Sequence, residues 1–196
     1  VIIPTIPGRE DILGRCLSAF NLCSDGADIQ LLVVDNKPSC GEAWIEGAES
    51  ADGDYLLLFA DDLEVTEGWW PPLVEACDRG VLPCPIVRNG NGTLQSAGGD
   101  LGAMNHLRDY VGDDWDEVGF TTVPFLSREQ WDAIGMIPVH YFSDVWVSAR
   151  GRQLGIVTML RTGTWIIHHN HHAGRKHSHG DDAATYERSL LEATAA

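Results

Sequence analysis

Apolar residues in the first half of the chain fall into short unbroken runs separated by stretches of helical spacing. That is the pattern of strands buried on both faces and joined by helices. Val1 to Ile3 reads as the end of a first strand, and Ile12, Leu13, Cys16, Leu17 and Phe20 recur at helical spacing behind it. Ile29 to Val34 and Asp54 to Ala60 read as the second and third strands, with a helix over Cys40 to Ser50 between them. Pro71 and Pro72 precede Leu73, Val74 and Cys77, where the first turn of a helix tolerates proline because its amides lack intrahelical partners. Strands alternating with helices predict an α/β fold around a central, mostly parallel sheet flanked by helices.

Val81 to Val87 predicts a further strand, and Asn89-Gly-Asn-Gly92 with Thr93 to Ser96 predicts a small hairpin before a flexible Ala97-Gly-Gly99. Residues 98 to 118 read as irregular and acidic. Thr121 to Leu126 predicts a strand, and Ser127-Arg-Glu-Gln130 is a capping box opening a helix that closes at Gly135. Ser143 is placed as the cap of the next helix, and Ile156 to Leu160 and Trp165 to Ile167 as two late strands. Beyond His168 the chain is too rich in His and Gly for regular structure, so 171–196 reads as a mobile His-rich loop with a C-terminal helix or tail.

Composition narrows the field. A chain of 196 residues, 44% hydrophobic, fills one core, so a single domain is expected. Thirteen basic against 29 acidic residues give a net charge of −16, which disfavours nucleic acid or an anionic membrane as partner. Cys16, Cys23, Cys40, Cys77 and Cys84 are odd in number and show no Cys-x-x-Cys spacing, which favours reduced thiols and a cytoplasmic setting. No apolar run is long enough for a membrane span, and no signal-peptide pattern is present.

The run Tyr55 to Ala60 ends on Asp61 and Asp62, and Leu31 to Val34 ends on Asp35. In an open α/β sheet the carboxyl ends of the strands border the ligand crevice, so these carboxylates are expected to converge there. Such a set suits metal-assisted phosphate chemistry, because a hard divalent cation takes one or two carboxylates while a diphosphate supplies further oxygens. Aspartate after a strand equally suits a turn or a helix start.

Pro4-Thr5-Ile6-Pro7-Gly8-Arg9 after the first strand, the aspartates above, and Tyr141-Phe142-Ser143-Asp144-Val145 further on occur in an order that resembles the family 2 glycosyltransferases over residues 1 to 170. The resemblance implies a Rossmann-like GT-A domain over 1–170, with the nucleotide sugar held by 1–100 and the acceptor and catalytic side by 101–170. Pro4, Thr5, Arg9, Asp35 and Asp61 would then surround the nucleotide sugar. Asp62 would be the metal ligand, in a motif reading Ala60-Asp61-Asp62 where the family has Asp-x-Asp. His169 or His168 would be a further ligand, and Asp144 the general base of an inverting transfer.

The cofactor implied is Mn²⁺ or Mg²⁺, with Mn²⁺ preferred if imidazole binds it. The implied donor is a nucleoside-diphosphate sugar, with uridine diphosphate sugars first; the acceptor is unnamed. Trp69 or Trp70 is the candidate sugar platform, Arg175 and Lys176 a diphosphate clamp, and His177 and His179 part of a solvated loop. The absence of a Gln-x-x-Arg-Trp motif points to single transfer rather than processive synthesis. Two other readings stay open. One is a sugar-nucleotide pyrophosphorylase, which would want a more glycine-rich loop than Pro4 to Arg9. The other is a degenerate GT-A domain or His-rich module that binds nucleotide or metal without turnover.

Overall fold

The computed structural model describes residues 1–102, 105–109, 111–170 and 179–195. β1 (Ile2–Thr5) lies parallel to β2 (Leu32–Asp35), with Thr5 opposite Asp35. A parallel bridge from Ile2 to Leu58 brings β3 (Tyr55–Leu57) to the other side of β1. The crossovers are α1 (Glu10–Cys23) and α2 (Cys40–Ser50), the latter with the bounds its periodicity predicts and with Ser39 as cap, accepting the Glu42 amide at 3.1 Å. These strands therefore end at one edge, with Thr5, Asp35 and the segment after Phe59 side by side.

The sheet continues as a mixed one. β10 (Phe125–Ser127) runs antiparallel to β3, and β5 (Leu82–Asn89) runs parallel to β11 (Thr158–His168). β4 (Leu63–Val65) pairs antiparallel with the end of β11, and β6 (Leu94–Ser96) pairs antiparallel with β5 as the hairpin that the Asn-Gly dipeptides predict. Short strands β7 (Gly99–Asp100), β8 (Asn105–His106) and β9 (Glu117–Val118) fall inside a segment the sequence reads as irregular. Two-residue pairings carry too little alternation to register as strands.

The apolar runs are explained by burial on two faces. Ile3, Leu57, Phe59 and Ile166 join Cys16 and Phe20 of α1 and Leu73 of α3 (Pro71–Asp78) in one cluster. Ile2, Leu56, Leu58 and Leu82 join Trp44 of α2, Ile134 of α4 (Arg128–Ile134) and Val147 of α5 (Ser143–Gln153) in another. Successive residues of a strand point to opposite faces, so a strand covered by helices on both has no polar position to spare. α6 (His179–Ala195) packs Tyr186 against Phe142 and Trp146 beside α5.

Three local expectations change. Ile156 to Leu160 and Trp165 to Ile167 belong to one strand, β11, interrupted by a register shift between Arg161 and Trp165 that breaks its alternation. Ser143 does not cap α5: Phe142 holds the cap position at φ 68°, and the Ser143 hydroxyl donates to the Val139 carbonyl at 2.6 Å. Trp69 is a core residue packed edge-on against Phe20, and its indole N–H donates to Ser24. The capping box at Ser127 and Gln130 is formed in both directions, and Gly135 ends α4 at φ 68°.

Two helical glycines fix how α2 sits. A Cβ on Gly47 would lie 2.2 Å from the Cγ2 of Ile2 in β1, and one on Gly41 would lie 2.2 Å from the carbonyl oxygen of Ile137. The Gly41 amide donates to Val139 O at 2.9 Å, so the start of α2 and the segment leading to α5 touch backbone to backbone. All five cysteines are thiols outside any disulfide, and among the described residues no helix is long and apolar enough to cross a membrane.

Candidate active site

β1 delivers Thr5 to the strand-end edge, and the chain turns through Gly8, at φ 87°, to place Arg9 ahead of α1. Arg9 makes no side-chain cap for that helix; its guanidinium turns to Asp61 instead. Nε donates to Oδ2 at 2.7 Å and Nη2 to Oδ1 at 2.6 Å, while Thr5 Oγ1 donates to Oδ2 at 2.8 Å. Asp61 is only 5% exposed, so this fork of charge-assisted bonds is what permits a carboxylate there. The bond to Asp61 is also the main reason that the Arg9 pKa is raised further.

Asp62 faces another way. Its Oδ2 lies 3.3 Å from His168 Nε2 and 3.7 Å from Arg9 Nη2. Burial works against its ionisation, but the hydrogen bond from His168, the charge that ring carries when protonated, and the charge of Arg9 outweigh it and hold the carboxyl below its ordinary value. Register brings the pair together: β4 and β11 align Leu63 with His168, and the His169 amide donates to Asp62 O at 3.0 Å. The neighbouring His169 ring turns to Glu64, with Nε2 2.9 Å from Oε1. Of the two histidines the sequence offers as metal ligands, His168 is the one beside Asp62. The other nitrogen of His168, Nδ1, lies 2.7 Å from Gln95 Nε2 and 2.9 Å from Gln95 Oε1.

A cavity of about 400 Å³ opens beside the Arg9–Asp61 fork, lined by Pro4, Thr5, Arg9, Ser39, Asp61 and Asp62, with Lys37 at its wall. A second, also about 400 Å³, is lined by Asp62, Gln95, His106, Thr122, Asp144 and His168. The two share Cys40, Ala60, Asp62, His140 and Tyr141, so Asp62 stands where they meet. Asp144 sits in the first turn of α5, and burial pushes its carboxyl up to about 6, against amide hydrogen bonds from Val145 and from its own backbone that favour the charged form. Asp35 is brought alongside Thr5 at the end of β2, but its side chain is exposed and lies outside the lining of the first cavity.

Residues 36–132 match the family model described as glycosyl transferase family 2. That segment, 97 of the 196 residues, is similar to glycosyl transferase family 2. The fold agrees with it. A crystal structure of GalNAc-T7 with UDP, GalNAc and Mn²⁺ superposes with a TM-score of 0.70 at 13% identity, covering 97% of this chain and 47% of that one. A crystal structure of S. aureus TarS superposes with a TM-score of 0.67 at 10% identity, covering 97% and 38%. The chain thus has the GT-A fold and spans less than half the length of either structure. No curated protein matches it by sequence.

The donor set at Asp62 and His168 fits a divalent cation of intermediate hardness. It offers one carboxylate oxygen and one imidazole nitrogen, the latter backed by an amide, as metal-bound histidines usually are. Among the described residues no group of three or more His, Cys, Asp and Glu side chains converges to hold an ion. His171, His172, Arg175, Lys176 and His177 lie outside the described residues, as does the side chain of His179.

Trp70 lines a separate hollow with Trp69, Tyr55 and Phe125 and is absent from the lining of both cavities at Asp62, so neither tryptophan is placed as a sugar platform. Gly98 and Gly99 serve packing: a Cβ on Gly99 would lie 2.1 Å from the Phe120 ring. Gln95, His106 and Lys37 are among the lining residues that sequence reasoning passed over. None carries a local signal; each is brought in by strand pairing or by the turn after β2.

Proposed function

We propose that this chain binds a nucleoside-diphosphate sugar and transfers its single sugar, with inversion, to an acceptor hydroxyl, assisted by Mn²⁺ or Mg²⁺. The observation that carries the reading is the position of Asp62, shared by a cavity bordered by the Arg9–Asp61 fork and a cavity bordered by Asp144. The nucleotide would occupy the first, against Pro4, Thr5 and Arg9 with Asp35 at its rim, and the sugar and acceptor the second. UDP is the first donor base to try, because the GalNAc-T7 structure holds UDP together with Mn²⁺.

Asp62 and His168 would hold the cation, which when bound neutralises negative charge on the departing diphosphate. The acceptor oxygen attacks the anomeric carbon as its proton passes to a carboxylate oxygen of Asp144, and the bond to the diphosphate breaks with its electron pair leaving on that group. A base whose carboxyl titrates near 6 is ionised at pH 7 yet basic enough to accept a proton in the transition state. Arg9 and Thr5 act through Asp61, fixing its carboxylate at the edge of the nucleotide cavity.

Thermal unfolding with uridine, guanosine, thymidine and cytidine diphosphates, each with and without Mn²⁺, tests the binding half. A ligand at about a hundred times its dissociation constant adds roughly 2.7 kcal/mol. The expected result is stabilisation by one nucleotide only when Mn²⁺ is present; no shift with any nucleotide would remove the reading. A binding module without turnover is the second reading, favoured by the commitment of Asp61 to Arg9 and Thr5. Nucleotide binding without hydrolysis or transfer of any sugar donor would select it.

A further inference from the structure

The β5–β6 hairpin contains a bulge whose extra residue is Gln95. Between the pairs Val87–Ser96 and Arg88–Leu94, β5 advances by one residue while β6 advances by two. Bulges re-aim side chains and gather beside active sites. Here the displaced side chain reaches across β5 to the last residue of β11, His168, whose strand partner is Asn89 on β5. The same carboxamide lines the cavity that contains Asp62 and Asp144.

We propose that Gln95 is the positioning residue for His168 and that its carboxamide supports both neutral tautomers of the ring. The inference rests on the reading of Asp62 and His168 as the ligands of the divalent cation. A carboxamide carries a donor and an acceptor, and both lie within hydrogen-bond reach of His168 Nδ1, Nε2 at 2.7 Å and Oε1 at 2.9 Å. Without cation, Nε2–H of His168 points at Asp62 Oδ2, 3.3 Å away, and its Nδ1 accepts from the Gln95 amide. With cation, the lone pair must be on Nε2. The ring gives its Nε2 proton to solvent and takes one from solvent at Nδ1, and Gln95 Oε1 accepts the new N–H. The charge of the ring is unchanged, and Gln95 keeps a hydrogen bond in either state.

The test is Mn²⁺ binding to the full chain in the presence of UDP, measured from the free-ion electron paramagnetic resonance signal, with pulsed spectra recording nitrogen modulation from a coordinated imidazole. Gln95→Leu offers neither donor nor acceptor, and Mn²⁺ affinity is expected to fall roughly 10- to 100-fold, the usual effect of losing such a support. Gln95→Glu keeps an acceptor for Nδ1–H and is expected to bind at least as tightly as the native protein, with the nitrogen modulation retained. His168→Ala should lose that modulation in any background. If Gln95→Leu does not fold, Gln95→Met, close to glutamine in shape but without its amide, gives the same readout.

Native-like affinity and modulation in Gln95→Leu would overturn the inference. Equal weakening by Leu and Glu would overturn its tautomer argument. Absence of nitrogen modulation in the native protein would instead overturn the assignment of His168 as ligand, so the two failures are distinguishable.

Discussion

Arg9 and Asp61, more than fifty residues apart in sequence, are joined by two parallel charge-assisted hydrogen bonds of 2.7 and 2.6 Å at the end of β1. Both side chains are nearly buried, at 11% and 7% exposure. Removing one partner from such a pair leaves a desolvated charge behind, at a cost of about 3 kcal/mol. Arg9→Ala is therefore expected to destabilise the protein by that amount, read from the urea midpoint. The double variant Arg9→Ala/Asp61→Asn should recover part of the loss, because the stranded charge is gone. An Arg9→Ala midpoint equal to native would mean that water already reaches the pair.

Asp62→Ala should fold and retain the Arg9–Asp61 fork but lose the Mn²⁺-dependent part of nucleotide binding. In calorimetry, nucleotide affinity should become independent of Mn²⁺. If it stays Mn²⁺-dependent, the cation is held elsewhere.

Asp144 links mechanism to pH. Its carboxyl titrates near 6 in the folded protein against about 3.8 unfolded, so the folded state binds more protons between these values and stability falls as pH rises through them. The penalty is absent below the unfolded value and complete above the folded one. Asp144→Asn should therefore be more stable than native at pH 7 by on the order of 3 kcal/mol, since each tenfold change in proton affinity is worth about 1.4 kcal/mol. The gain should vanish at about pH 3.5, below the unfolded value. Sugar transfer should be lost while nucleotide affinity stays native. Stability curves for the variant and the native protein that run parallel across this range would show that the carboxyl is not perturbed by burial, and a native transfer rate would remove Asp144 as the base.

Two glycines in helices should respond oppositely to alanine. Nothing lies within 4 Å of a Cβ on Gly14 in α1, so Gly14→Ala should raise stability by about 1 kcal/mol through helix propensity. On Gly41 the same methyl would meet the Ile137 carbonyl and force α2 away, so Gly41→Ala should lower stability by about 2 kcal/mol or more. Melting temperatures decide both; a stabilised Gly41→Ala would mean the two backbones separate at little cost.

Elements that announce themselves locally were legible in the sequence. α2 carries its own amphipathic period, Ser127 and Gln130 their reciprocal caps, and the third strand an apolar run that only burial on two faces explains. β4 was not, because Leu63-Glu-Val65 is too short to show a period, and β11 read as two strands because its register shifts after Arg161. At the site, the place of Asp62 at the strand-end edge was legible from the apolar run it follows. The choice between His168 and His169 was not, since adjacent residues near a strand end face opposite ways and only pairing with β4 says which meets Asp62. Gln95 was invisible for the same reason.

The contact of Gly41 with the 137–139 backbone has a meaning beyond stability. It joins the wall bearing Ser39 and Cys40 to the stretch bearing His140, Tyr141 and Asp144 through main chain, and the Cys40 thiol, 3.5 Å from His140 Nδ1, adds a side-chain contact between the same two stretches. The spacing between the two cavities that meet at Asp62 thus depends on how closely these backbones approach. Under the proposed function, the distance from nucleotide to general base would therefore follow from how near Gly41 lets α2 come to the 137–139 backbone.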